Sequence, residues 1–470
     1  MLAVLASLIF FAQSPQTEPT DAAVSAPGDL PDALPPIDDA LLETPSTLAA
    51  FAQGRLRFGL EQGRLFVPQD AVGATMLTGR MGVRGTIGDA DATVVIGEGA
   101  TLLMAAPAVG SPLDASFGPL LVVRPFAPMV HVLFVDVPTA AIGVPARFQI
   151  GRMPVVVADG RFVGAEAFDV RGRFLDGARL AGGTDDLTVE VGAFWLGPLA
   201  PGDAAAASGL LLLSLHSEPL DGFVVDAYLL GHRDGTPVRG GADPLLVPTA
   251  GGRARWAHSW LKARAGGDLQ ASFDEANGLA LRGVAWHAEG AARFLPPSWI
   301  DAPVPFAELG VEATGGDDVL GAVFRAPAPT QHGTLGLLDL VAADNTVSPW
   351  LALGAAEAGF VAEVVVRNVS MLRPTGRLWA PDRRTILLPD RSRTSTGFFE
   401  LDTHVALPVS AAASLDITFS LAAPQGAWAG EDAVTAHRLL CSLRFLIDDT
   451  LLQPGAPQRG SPQIVAPLSP

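Results

Sequence analysis

The sequence is poor in cysteine, tyrosine and lysine: Cys441, Tyr228 and Lys262 are the single examples in 470 residues. One cysteine excludes an internal disulfide bond. Beyond the N-terminus, apolar runs such as Leu210 to Leu213 fall far short of the ~20 residues that a membrane-spanning helix needs. A bundle of transmembrane helices is therefore excluded.

The sequence also lacks the short motifs of common enzymes. It has no nucleophile elbow, no phosphate-binding loop and no Cys/His pattern typical of a metal site. Glu400, Asp402 and His404 occupy alternate strand positions, which is more typical of a polar sheet face than of a metal site. We therefore expect no catalytic residue, no metal and no cofactor. A formal net charge of −18 argues against nucleic acid as a partner.

Glycine, proline and apolar residues are abundant. The 51 glycines and 39 prolines disfavour long helices and favour many strands joined by turns, while 49% of the residues are apolar. From Phe51 onward, apolar and polar residues alternate with the period of a β-strand, as in Leu56 and Phe58 against Arg55 and Arg57. Roughly sixteen to eighteen segments show this alternation.

Alternation alone fits both a soluble sandwich and a membrane barrel, because both bury one face of each strand. No helix pattern is available to cover a second apolar layer, whereas a closed barrel in lipid needs no cover and satisfies its own backbone. The sequence therefore predicts an all-β fold, a transmembrane antiparallel β-barrel of about 16–18 strands with 18 favoured. Its interior would be wide enough to hold water.

The two ends of the chain differ from this pattern. Residues 1–14 contain an apolar segment of signal-peptide length, and residues 15–48 are rich in Pro and Asp without periodicity, as in a disordered linker. We expect the barrel over residues 49–448 and a Pro-rich tail over residues 449–470. This order predicts an exported protein located in the cell outer membrane.

All basic residues other than Lys262 are arginines, and six of them crowd the stretch from Ala146 to Leu180. A GC-rich genome would explain this bias without a function, and a solvated charged face would explain the crowding. Arginine nevertheless keeps its charge at every working pH, and its planar fork suits carboxylates and phosphates. A set of inward arginines would therefore suit the path of an anion.

Motifs in this stretch resemble a known family. GRMPVVVADGRFVG and GRFLDGARL resemble the Gly-Arg and Phe-Asp-Gly-x-Arg-Leu motifs of the alginate-export family of outer-membrane barrels. FVVDAYLLG at Phe223 to Gly231, the loop from Ala313 to Val347 and GFFELDTHV near the end resemble further segments of that family in the same order. The resemblance implies a barrel that passes a polyuronate through an arginine-lined constriction.

The predicted pore-lining and substrate-binding residues are charged side chains of the polar strand face. Their arginines would attract the carboxylate of each sugar, and their acids would orient the arginines and keep the polymer from binding too tightly to leave. They are Arg80, Arg84, Arg152, Arg179, Glu190, Glu289, Glu363, Arg367, Asp402, Arg438 and Arg444.

The expected partners are outer-membrane lipid, an anionic polysaccharide or acidic solutes, and periplasmic export machinery, with the protein itself a monomer. Two other functions remain open. One is a general porin without polymer specificity, and the other is a secreted or surface-attached β-rich binding or structural protein. For any single arginine, the alternative to a pore role is an ion pair that only stabilises the barrel wall.

Overall fold

The computed structural model describes residues 48–448 with gaps at 63–71, 88–89, 106–119, 142–143, 158–160, 164–173, 185, 196–208, 235–244, 276, 297–302, 317–344, 358–359, 374–377, 380–385, 389–396, 411 and 427–432. The signal peptide and the tail, and all but the last residue of the linker, lie outside the described residues and stay predictions. Among the described residues, no helix is long and apolar enough to cross a membrane.

The described residues form β-strands, which are numbered here in chain order. They are β1 (Leu48–Gln62), β2 (Val72–Ile87), β3 (Ala90–Ala105), β4 (Leu120–Ala141), β5 (Val144–Met153), β6 (Leu175–Thr184), β7 (Leu187–Trp195), β8 (Gly209–Leu220), β9 (Phe223–Asp234), β10 (Leu245–His258), β11 (Leu261–Asp274), β12 (Ala280–Phe294), β13 (Val304–Gly316), β14 (Thr346–Glu357), β15 (Phe360–Met371), β16 (Leu378–Trp379), β17 (Ile386–Leu388), β18 (Gly397–Ser410), β19 (Ala413–Gln425) and β20 (Ala436–Asp448).

Eighteen of the strands in the described part of the chain form one closed antiparallel sheet, and β16 and β17 form a separate pair. Strands that follow one another in sequence are paired, β15 pairs with β18, and β1 pairs with β20. The pairing of the first and last strands closes the barrel, so that its backbone groups are satisfied within the sheet. The predicted fold and its favoured strand number are confirmed.

The connections differ in length between the two ends of the barrel. At one end, which we call the short-turn end, residues 142–143 and 221–222 each join two strands. At the other, the long-loop end, the connections include residues 196–208 and 317–345.

Side chains alternate between an apolar outer face and a polar interior. Leu133, Ile150 and Leu211 are exposed on the outer face. Trp256 and Trp260 are also exposed and flank His258 at the short-turn end, with ring centroids 5.9 and 6.3 Å from that of the histidine. Aromatic residues in this position are typical of the girdle at a membrane interface.

The chain turns into the barrel at the end of β5, and we call the described residues 153–157 and 161–163 the inward segment. Its backbone closes on itself through a hydrogen bond from the Val157 amide to the Val163 carbonyl of 2.9 Å. Its buried apolar side chains pack against inward residues of β7, β8 and β9, and burial of each large one contributes about 1.5–3 kcal/mol. The cluster includes Met153, Val155, Val157, Phe162, Val163, Phe194, Leu210, Leu212, Tyr228 and Leu230.

Candidate functional site in the barrel interior

Five arginines lie on the inner face of β20, β1 and β2, four of them close together and Arg438 further along β20, opposite Glu61. Directly opposite positions of paired strands point to the same face, and Arg55 is opposite Arg444 while Gln53 is opposite Arg80. Arg57 is opposite Ser442, two positions along the same strands. We call this group the arginine wall: Arg55, Arg57, Arg80, Arg438 and Arg444.

The arginine wall has acidic as well as polar neighbours. Glu61 of β1 is directly opposite Arg438 of β20. Asp416 of β19 pairs with Arg444 at 3.1 Å, and Arg55 donates to the Ser442 hydroxyl at 2.9 Å. The five arginines outnumber the acids at these positions, Glu61 and Asp416, which favours anions on this side of the interior.

Acids and arginines are more evenly mixed elsewhere on the inner wall. Near the short-turn end, Arg179 donates to Gln149 and lies 3.5 Å from Glu190. In the same network, Arg147 pairs with Asp136 at 3.0 Å. The two predicted residues Arg179 and Glu190 thus lie together inside the barrel, with side chains that are partly exposed.

The inward segment carries Arg161 into a second charged cluster at mid-height. Its guanidinium donates to Glu289 at 2.6 Å and lies 2.7 Å from the Nδ1 atom of His287. His287 is also 2.9 Å from Asp268 and 3.2 Å from Glu312. The predicted residue Glu289 is therefore an anchor for this segment, and it also pairs with Arg253 at 3.1 Å.

The predicted residues of β15 and β18 are buried within the wall. Arg367 is 1% exposed, and its guanidinium lies 5.4 Å from the centroid of the Trp350 ring. Glu363 and Asp402 are also buried, and Glu363 lies 3.4 Å from His404. These side chains face inward, but little of their surface is open to a passing solute.

Arg152 is the prediction that the structure corrects. It is opposite Leu133 and Asp176, Leu133 is 50% exposed on the apolar face, and Arg152 pairs with Asp176 at 2.6 Å. Its neighbour Met153 points the other way into the buried cluster. Arg152 therefore belongs to the outer face near the long-loop end. Arg84 lies in β2, but its side chain is outside the described part of the chain.

The residues of the site that were absent from the predicted set include Arg55, Arg57 and Phe174. Arg55 and Arg57 alternate with the apolar residues Leu56 and Phe58 in the sequence. This pattern indicates that both arginines face the interior. Phe174, by contrast, meets Arg80 across the interior at 5.8 Å from guanidinium carbon to ring centroid. That contact depends on how the chain returns from the inward segment, and no local pattern indicates it. The described residues contain no group of three or more His, Cys, Asp or Glu arranged to hold a metal.

No family model matches the sequence, and no curated protein matches it. Its fold is nevertheless similar to solved channel structures. The likeness to Pseudomonas aeruginosa OccK7 (OpdD) has a TM-score of 0.55 at 10% identity and covers 85% of this chain and 99% of that one. For Pseudomonas aeruginosa OprD, the TM-score is 0.54 at 11% identity, with 91% and 99% covered.

A third similar structure is Pseudomonas aeruginosa OccK2 (OpdF) in complex with glucuronate. Its TM-score is 0.54 at 13% identity, and the likeness covers 85% of this chain and 98% of that one. At such identities, the comparison shows the fold alone, and that fold is the outer-membrane β-barrel. Membership of the alginate-export family stays a prediction.

Proposed function

We propose that the protein is an outer-membrane channel for small acidic solutes of the uronate class. The observation that carries this proposal is the arginine wall, in which Arg55 and Arg444 are directly opposite on paired strands and Arg80 is on the next strand. An arginine-rich face inside a closed barrel attracts a carboxylate from either opening. The glucuronate bound to OccK2 (OpdF) is consistent with this substrate class for a barrel of the same fold.

The arrangement of the arginines suits transport better than tight binding. A planar guanidinium holds a carboxylate through two parallel hydrogen bonds. Several such groups on neighbouring strands offer a carboxylate successive partners, so that it moves from one to the next without leaving the interior. Arg444 is moderated by Asp416 at 3.1 Å, which weakens its hold on an anion.

The inward segment favours a small solute over a polymer. Its side chains fill part of the interior from β7 across to β12, and Phe174 approaches Arg80 on the opposite side. A rigid chain of sugars needs an open path along the whole barrel. Passage of an alginate-like polyuronate, with periplasmic export machinery as a partner, is therefore the second candidate, carried by the sequence resemblance.

The test is charge removal from the arginine wall, measured in planar lipid bilayers. We expect the Arg55→Gln/Arg444→Gln variant to lose anion preference by on the order of tenfold, because each charge ~4 Å from an anion contributes about 1 kcal/mol in water. Uptake of glucuronate into proteoliposomes should fall while uptake of glucose stays the same.

Arg152→Gln is the control, because it removes an arginine charge from the outer face and none from the arginine wall. It should leave both the anion preference and glucuronate uptake unchanged. Equal anion preference in the double variant and the native protein would exclude the arginine wall as the selective element. Uptake of an alginate oligomer as fast as that of glucuronate would instead favour the polymer channel.

A further inference from the structure

We propose that Arg161 is a positioning residue that sets the width of the channel by fixing the inward segment against β11, β12 and β13. The proposal rests on the channel function, but it concerns the size of the opening and not the chemistry of the solute. Arg161 is 8% exposed and is supplied by the segment itself, whereas its partners belong to β11, β12 and β13.

The contacts of Arg161 link two parts of the barrel that are far apart in sequence. The apolar side chains of the inward segment belong to a cluster with residues of β4, β6, β7, β8 and β9 and with Ala285 of β12. Arg161 forms ion pairs on the far side of this cluster, with Glu289 at 2.6 Å, Glu312 at 3.8 Å and Asp268 at 3.9 Å. The guanidinium thus adds charged contacts with β11, β12 and β13 to an apolar cluster that lies mainly on β4 to β9.

The acidic residues around position 161 require a positively charged side chain there. Asp268, Glu289 and Glu312 surround the guanidinium, and Arg253 is the other arginine, at 3.1 Å from Glu289. A neutral side chain in place of Arg161 would leave buried carboxylates without sufficient compensation, and water would enter to solvate them. Such entry requires the segment to move away from β11, β12 and β13.

The test compares Arg161→Met with Arg293→Met in single-channel recordings in KCl. Arg293 is the matched control because its Nε atom pairs with Glu308 at 2.6 Å and its side chain is buried to a similar degree, but both partners belong to the wall. We expect Arg161→Met to raise conductance by roughly twofold or more, because the narrowest part of a pore limits its current. Arg293→Met should leave conductance unchanged.

Two further readouts distinguish positioning from stability. Swelling of liposomes in a neutral trisaccharide should be faster with Arg161→Met, and anion preference should fall because the freed acids face the water. If Arg161→Met does not fold, Glu289→Gln weakens the same anchor from the wall side and should raise conductance in the same direction.

Unchanged or lower conductance in Arg161→Met, or an equal rise in Arg293→Met, would overturn the assignment. If the Arg161→Met variant does not fold, unchanged conductance in the Glu289→Gln variant would also overturn the assignment. Recordings of the native protein distinguish failure of this proposal from failure of the proposed function. A native channel without anion preference would refute the acidic-solute proposal, while the comparison of conductances would still decide the role of Arg161.

Discussion

At the scale of single residues, Leu279 has an unfavourable backbone conformation. Its φ of 63° lies in the left-handed region, which costs most L-residues about 1–2 kcal/mol. At the other non-glycine position of this kind in the described residues, the chain has Asn345, whose side chain accepts from the Arg373 amide at 2.9 Å. We expect Leu279→Asn to raise the free energy of unfolding by about 0.5–1 kcal/mol, measured by denaturant titration in detergent.

The control for this effect is Leu281→Asn. Leu281 is exposed to a similar degree, 57% against 54% for Leu279, but it lies in β12 and has no positive φ. The same substitution there should not stabilise the protein, because it relieves no strain. If both variants gain equally, removal of an exposed leucine explains the result and the backbone does not.

The face of a single side chain could be predicted from its position in the strand. Arg438 and Arg444 alternate with Leu439 and Cys441, and the register places both arginines in the interior. Arg152 shares its parity with Ile150, which is exposed on the outer face. Near the long-loop end, a partly exposed ion pair with Asp176 satisfies the charge of Arg152 outside the barrel.

At the scale of strands, one glycine makes room for an aromatic ring. Trp350 of β14 lies over Gly310 of β13, where a Cβ atom would overlap the indole, and Arg367 lies over the same ring. We expect Gly310→Ala to destabilise the barrel by about 1–3 kcal/mol, because a filled site forces side chains or backbone to shift. Denaturant unfolding followed by tryptophan fluorescence measures this loss.

Gly290→Ala provides the comparison for this change. Gly290 lies in β12, and a Cβ atom there would meet only the Arg264 carbonyl at 3.9 Å within a 4 Å radius. This substitution should be neutral or slightly stabilising, because alanine restricts the unfolded chain. A similar loss of stability in both variants would show that strand glycines matter for a reason other than space for Trp350.

The inward segment marks the limit of what strand-level patterns could reveal. Alternation indicates strands such as β6 and β7, whose register joins Thr184 to Leu187. It did not indicate that Val155 and Phe162 enter the interior, because a short apolar run reads the same in a strand and in a buried loop. The contacts of Arg161 with Asp268 and Glu289 span more than a hundred residues, and no local pattern encodes them.

At the scale of the whole molecule, closure of the sheet depends on β20. This strand pairs with β1 over Phe51–Gln62 and with β19 over Ala413–Ala422, so its removal exposes two strand edges. Each unsatisfied backbone group in lipid costs several kcal/mol, which an open sheet cannot recover. We expect the native protein to migrate faster on gels when unheated than when boiled, and a chain truncated before Ala436 to lose this difference. Truncation after Asp448 retains every strand in the part of the barrel that the structure describes and should preserve the difference. If the chain without β20 still shows the shift, or if the native protein is extracted as a monomer without detergent, then the closed membrane barrel is not the state that the protein adopts.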